Sequence, residues 1–143
     1  MEQQNIFQLI HMLEQVTNAN IVRFTKTFPY PIGISPILVL QELNANGPKK
    51  QMELAGMLGF TKGAMTSIAN KLAANDLVVR IYDEMDRRTI QLEITDEGRT
   101  VLKKASTIGE EIYLELFSVL THEEIETYLA LQKKLLQRKD WSE

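Results

Sequence analysis

The chain has 143 residues, 44% of them hydrophobic and 24% charged, with a formal net charge of −3 and no cysteine. Such a length and balance suit one folded domain with a core of its own, and the missing thiols exclude disulfides, thiolate metal sites and thiol redox switches. The first residues carry neither a basic start nor a small-residue cleavage site, and no apolar run approaches the roughly 18 residues of a membrane span, so a cytoplasmic protein with no membrane partner is expected.

From about Gln3 to Phe28, the residues Ile6, Leu9, Ile10, Leu13, Val16, Ile21 and Phe24 follow three-and-four spacing, which predicts a first helix. It must end at Pro29-Tyr30-Pro31-Ile32-Gly33. Ser35-Pro36 reads as a cap and first helical position for a second helix, from Ile37 to about Asn44, closed by Asn46-Gly47-Pro48. Two short helices follow, Gln51 to Leu58 and Lys62 to Asn75. Only Gly59, Phe60 and the candidate cap Thr61 separate them, the spacing of a helix-turn-helix.

After Asp76 the period falls to two. Leu77 to Tyr82 and Thr89 to Ile94 read as two strands of a hairpin, the second with Ile90, Leu92 and Ile94 on one face. Thr95-Asp96-Glu97-Gly98 then caps a long helix to about Leu120, with two acids at its positive end. Thr121-His122-Glu123-Glu124 matches a capping box and opens the last helix, to about Lys139. No repeat, low-complexity segment or linker interrupts this order.

Charge is uneven along the chain. Residues 49–88 carry seven basic and five acidic side chains, whereas residues 89–143 carry seven basic and eleven acidic ones. The middle is the only basic third, and the local field rather than the net charge is what an anionic partner meets.

On the Lys62–Asn75 helix, Met65, Ile68 and Leu72 form a narrow apolar stripe, and the opposite arc holds Gly63, Thr66, Ser67 and Asn70 with Lys62 at its edge. A helix entering a major groove needs such a face: small residues admit the backbone, and Ser, Thr and Asn reach base edges or phosphates. A plain solvated face is the competing reading, but one selected for stability would more often carry Glu–Lys pairs at i, i+4, and this one has none. At the hairpin tip, Arg87 and Arg88 stand beside Asp83, Glu84 and Asp86. Local salt bridges would give such a turn about 0–1 kcal/mol each. Alternatively, Asp86 holds an arginine in one rotamer for a DNA minor groove, where the negative potential favours guanidinium.

These residues together resemble the MarR-type winged-helix transcriptional regulators. The resemblance is carried by Glu53–Arg80, by the D-x-x-D-R-R run of Asp83–Arg88, and by L-x-I-T-x-x-G from Leu92 to Gly98. It implies a mainly α fold with a small β-hairpin wing: a DNA-binding lobe over residues 34–98, flanked by dimerisation helices over 1–33 and 99–143. It implies a homodimer on double-stranded operator DNA, a repressor more often than not, released by a small aromatic or amphipathic effector. Carried over, Asp86 orients Arg88, Arg88 enters the minor groove, and Arg87 meets phosphate or a neighbouring acid. Lys49, Lys50, Lys62, Lys71 and Arg80 complete the cations offered to DNA. The implied effector pocket lies where the terminal helices meet the DNA-binding lobe, with His11, Phe24, Phe28 and Tyr30 as candidates; as aromatics at helical spacing they equally suit a core. Three departures stand out: Gly56 inside a helix, Asn75-Asp76 in place of a glycine before the wing, with Asn able to take the left-handed turn, and Glu84 where a proline is common.

No catalytic or cofactor motif appears. His122-Glu123-Glu124 opens like H-E-x-x-H, but Glu126 stands where the second histidine would be, so no metal site is expected. The reading from another class is a winged-helix module that dimerises and binds protein through its wing.

Overall fold

A computed structural model describes residues 2–82, 84–86 and 90–138. The elements run α1 (Glu2–Thr27), α2 (Ile34–Asn46), β1 (Lys49–Lys50), α3 (Gln51–Leu58), α4 (Lys62–Ala74), β2 (Val78–Tyr82), β3 (Ile90–Ile94), α5 (Asp96–Phe117) and α6 (His122–Leu136). The three strands form an antiparallel sheet in the order β1-β3-β2. None of the helices among the described residues is long and apolar enough to cross a membrane.

One core lies beneath the sheet and the short helices. Val39, Leu40 and Leu43 of α2, Leu54 of α3, and Met65, Ala69 and Leu72 of α4 meet Leu92 of β3 and Val101 of α5, all at 3% exposure or less except where α5 broadens the cluster outward through Leu102, Ile108 and Ile112. The three-and-four spacing of these residues on their helices places them on inward faces, and the two-residue period brings Leu92 and Ile94 to the same side of β3. The outer helices differ. Neither α1 nor α6 has a single buried residue.

The caps expected at Thr61, Thr95 and Thr121 are present. The Thr61 hydroxyl accepts from the Ala64 amide at 3.1 Å and that of Thr95 from the Gly98 amide at 2.9 Å, while Thr121 and Glu124 form a reciprocal capping box. The elements differ from the sequence reading at several points. Helix α2 begins at Ile34 behind an extended Gly33, with no side-chain cap. Ser35 and Pro36 therefore sit inside its first turn, where the amide that proline lacks has no helical partner anyway. Strand β1 was not foreseen: Lys49 and Lys50 have no alternation to read, and pairing with Leu92 and Gln91 makes them a strand and the wing a three-stranded sheet rather than a hairpin alone. Helix α5 ends at Phe117, because the Ser118 amide and hydroxyl both turn back to the Glu115 carbonyl. The described part of α6 ends at Leu136.

The left-handed residue before the wing is Asp76, at φ 59, and not Asn75, at φ −97. Its amide donates to the Ala73 carbonyl at 3.0 Å and the next amide, Leu77, to the Leu72 carbonyl at 2.9 Å. This pair of bonds is the Schellman closure of a helix, and its accompanying apolar contact is supplied by Leu72 and Leu77, both buried. From there the Thr95 hydroxyl donates to the Asp76 carbonyl at 2.7 Å and the Thr95 amide to the Leu77 carbonyl at 3.1 Å. Gly98 completes the junction. A Cβ at that position would lie 2.2 Å from the Leu77 oxygen and 2.7 Å from Ile94 Cγ1.

Two glycine substitutions should therefore move stability in opposite directions. Gly98→Ala forces α5 away from the wing and is expected to cost about 1–3 kcal/mol or more. Gly56→Ala, with nothing within 4 Å of the added methyl, should stabilise α3 by about 0.5–1 kcal/mol. Denaturant unfolding of both variants checks the pair.

Candidate nucleic-acid interface

The turn between α3 and α4 is set by Gly59 in the left-handed conformation (φ 74, ψ 26), which lets the Phe60 amide close α3 on the Ala55 carbonyl at 2.9 Å. Thr61 then caps α4. That helix turns Met65, Ile68, Ala69 and Leu72 inward, so Lys62, Gly63, Thr66, Ser67, Asn70 and Lys71 form its exposed face. The face is uncharged except at its two lysines.

These polar side chains are not equally available. The Thr66 hydroxyl donates to the Lys62 carbonyl at 2.9 Å and receives Gln51 Nε2 at 3.5 Å, so it is turned toward its own helix. Asn70 Oδ1 accepts from Arg80 Nη2 at 2.6 Å, tying α4 to strand β2. Ser67 has no hydrogen bond among the described residues. Of the cations, Lys50 and Lys62 converge on a groove of about 270 Å³, floored by Met52, Ala55, Met65 and Ile90. Lys71 and Ser67 border a second one of about 260 Å³, against Ser35 and Thr25. Lys49, half-buried and paired opposite Leu92, lines neither.

The wing extends from β2 and β3. Glu84, Met85 and Asp86 are exposed, and Met85 is 95% so. Arg87 and Arg88 lie outside the described residues, and with them the expected link from Asp86 to Arg88.

A further cavity of about 190 Å³ opens between α1, α2 and α5, lined by Thr17, Asn20, Ile21, Phe24, Ile34, Ile37, Gly109, Ile112 and Tyr113. Of the four pocket candidates read from the sequence, only Phe24 lines it. Phe28 is buried and stacks on Phe24 at 5.0 Å between ring centroids, and Tyr30 follows at 5.2 Å, so both belong to the packing behind the cavity. His11 is exposed on α1 and is not part of the lining. Sequence reading missed Asn20 and Tyr113, the polar ends of this cavity, because each sits on a helix whose partner face is a matter of packing. Among the described residues no group of three or more His, Asp or Glu side chains could hold a metal ion, and His122 Nε2 simply faces Glu126 at 3.0 Å.

Comparison with known proteins decides the family. Residues 34–90 match the model of the MarR family. The transcriptional regulator YpoP of Bacillus subtilis is 31% identical over 68% of this chain and 69% of its own length, and the transcriptional repressor MdtR of the same organism is 30% identical over 78% and 73%. The chain belongs to the MarR family. As such it is a DNA-binding transcriptional regulator, and its elements are those of the MarR winged-helix fold. A crystal structure of a mutant MarR from Escherichia coli complexed with operator DNA superposes with a TM-score of 0.75 over 92% of this chain and 96% of that one, at 23% identity. The small-faced helix identified above is thus the second helix of a MarR helix-turn-helix, and the three-stranded sheet is its wing.

The Thr61 cap is the local feature on which the start of α4 rests. Thr61→Ala should lower unfolding free energy by about 1 kcal/mol, whereas Thr61→Ser should be close to neutral; thermal denaturation distinguishes them.

Proposed function

We propose that this MarR-family chain is a homodimeric, sequence-specific repressor that binds a pseudo-palindromic operator and is released by a small aromatic or amphipathic effector. The observation that carries the DNA part is the exposed face of α4. Gly63, Ser67 and Asn70 leave it low in profile, Lys62 and Lys71 mark its ends, and Lys50 and Arg80 approach from the sheet. Low relief with cations at the edges suits a helix whose backbone must come close to base edges while its flanks meet phosphate. Arg88, oriented by Asp86, is assigned to the adjacent minor groove, and Arg87 to phosphate.

Two features support the dimer. Helix α1 exposes Ile6, Leu9 and Leu13 along one face at 54%, 57% and 49%, and α6 exposes Ile125, Leu129 and Leu136 along one face at 40%, 52% and 78%. Contiguous apolar surface on that scale is a mark of an interface, and a second copy of the same helices is its partner in this reading. Residues 1–33 and 99–143 then form the dimerisation part and residues 34–98 the DNA-binding lobe. Two-fold symmetry would set the α4 helices about 34 Å apart, one DNA turn. The effector is assigned to the cavity beneath Phe24, which is mainly apolar with Asn20 and Tyr113 to orient a polar group. A regulator of this kind acts on DNA in the cytoplasm.

Affinity should fall with salt by about 0.9 log unit per phosphate contact per decade, or about 5–7 in total for three or four contacts per subunit. Fluorescence anisotropy on a duplex selected from a randomised pool measures this slope, and a slope near zero argues for the protein-interaction module instead. Arg88→Ala should cost about 1–3 kcal/mol of DNA affinity with the melting temperature unchanged; a full-strength gel shift would remove Arg88 from the groove. Leu13→Glu combined with Leu129→Glu should convert the dimer to monomer in sedimentation equilibrium. A wild-type chain that sediments as a monomer at micromolar concentration would refute the dimer directly.

A further inference from the structure

Arg80 and Asn70 are each candidates for DNA contact when taken singly, but in the fold they are one unit. Arg80 lies on β2 opposite Leu92 of β3, on the same strand face as buried Val78, and β2 packs against α4. From there Arg80 Nη2 donates to Asn70 Oδ1 at 2.6 Å. A guanidinium has donors only, so whichever atom of the Asn70 amide faces it must be the oxygen. The orientation of this amide is therefore set by chemistry rather than by choice between two similar atoms. Its Nδ2 makes no hydrogen bond among the described residues, and Asn70 is exposed on the face of α4 shared with Gly63, Ser67 and Thr66.

We infer that Arg80 is a positioning residue that presents Asn70 to the major groove as a hydrogen-bond donor, so that Asn70 selects a base bearing an acceptor at one position of the operator. The inference rests on the operator-binding reading proposed above. In the major groove guanine presents acceptors only, N7 and O6, and thymine presents O4, whereas cytosine presents its N4 amino group and adenine sets an N6 amino group beside its N7. An amide free to rotate could serve either set. One held by its oxygen opposes an amino group with its own N–H and rejects it. Thr66 cannot substitute, because its hydroxyl proton is committed to the Lys62 carbonyl.

The experiment reads base preference rather than affinity alone. A duplex selected by the wild-type protein from a randomised pool is remade with each base pair in turn replaced by the other three, and anisotropy gives a preference at every position. Wild type should prefer guanine or thymine over cytosine or adenine at one position per half-site by about tenfold. Asn70→Asp keeps an oxygen for Arg80 but removes the donor. It should lower affinity for all duplexes through its charge and, at that one position alone, reverse the preference toward cytosine or adenine. Arg80→Met releases the amide and should flatten the preference there to within about twofold while leaving other positions intact. Arg80→Lys, whose ammonium also only donates, should retain it. Equal losses on every duplex for Asn70→Asp and Arg80→Met, with the pattern of preferences unchanged, would overturn the inference and leave the pair as a backbone contact. Should the wild-type protein enrich no duplex, the operator reading itself fails, an outcome distinct from the loss of one preference.

Discussion

Gly98 lies against the carbonyl of Leu77 so closely that no side chain fits between them, and the geometry of the DNA-binding lobe depends on that approach. The last turn of α4, the first residues of β2, the end of β3 and the first turn of α5 all meet there. Thr95 donates through its hydroxyl and amide to the carbonyls of Asp76 and Leu77, and its hydroxyl accepts from the Gly98 amide. The left-handed Asp76 turns the chain out of α4 and into the wing. A wing hung on a looser joint could take many angles relative to α4, and the two could then not be held in register with each other. Asp76 tolerates the left-handed region better than most residues but less well than glycine, so the junction carries a small cost that the Leu72–Leu77 contact and the Thr95 bonds offset.

How much of this was legible in the sequence follows from the range of the interactions concerned. Caps are local: Thr61, Thr95 and Thr121 bond within three residues, and each could be read from its own neighbourhood. The face of α4 follows from period alone, since its buried stripe of Met65, Ile68 and Leu72 leaves only one arc for solvent. The T-x-x-G run was legible as a motif carried by resemblance, but not its reason, because the Leu77 oxygen lies twenty-one positions away in the chain from Gly98. Strand β1 had no signal at all: two lysines become a strand only because Gln91 and Leu92 offer free backbone groups. The left-handed residue was misplaced by one. Asn and Asp both tolerate the conformation, and the choice between them is made by where the Schellman bonds close, on Asp76 and Leu77. Phe24, Phe28 and Tyr30 form one aromatic cluster, but which of its rings borders a cavity is decided by packing: Phe28 is buried and Phe24 alone lines the space between α1, α2 and α5.

An acidic chain that binds a polyanion needs its positive charge concentrated. Residues 49–88 provide that concentration, and the fold increases it by drawing Lys50 and Lys62 to one groove and Arg80 to Asn70. Most of the acids of residues 89–143 lie on α5 and α6, and Asp96, Glu97, Glu123 and Glu124 sit in first turns where they complement the helix termini. Charges farther than about 8–10 Å from the α4 face are largely screened at cellular salt, whereas contacts made at hydrogen-bond distance are not.

The proposed effector cavity and α4 are joined through α2. Ile34 and Ile37 of α2 line the cavity on one side, while Val39, Leu40 and Leu43 of the same helix pack in the core against α4. Across the cavity, α1 is tied to α5 by the ion pair of Arg23 with Glu115. Being half-exposed, this pair contributes at most a fraction of a kcal/mol after solvent screening, so it is a weak latch rather than a lock. A ligand wedged between α1, α2 and α5 would act on α2 at its first turn, where no side chain caps the helix and Gly33 offers no bulk. A packed core transmits such a displacement rather than absorbing it, and in the proposed dimer a small tilt of each α2 would change the separation of the two α4 helices. The requirement is only that the ligand bind one spacing better than the other; a ligand with equal affinity for both would shift nothing. The start of α2, like that of α3 and unlike the capped starts of α4, α5 and α6, has no side-chain cap to break when it moves.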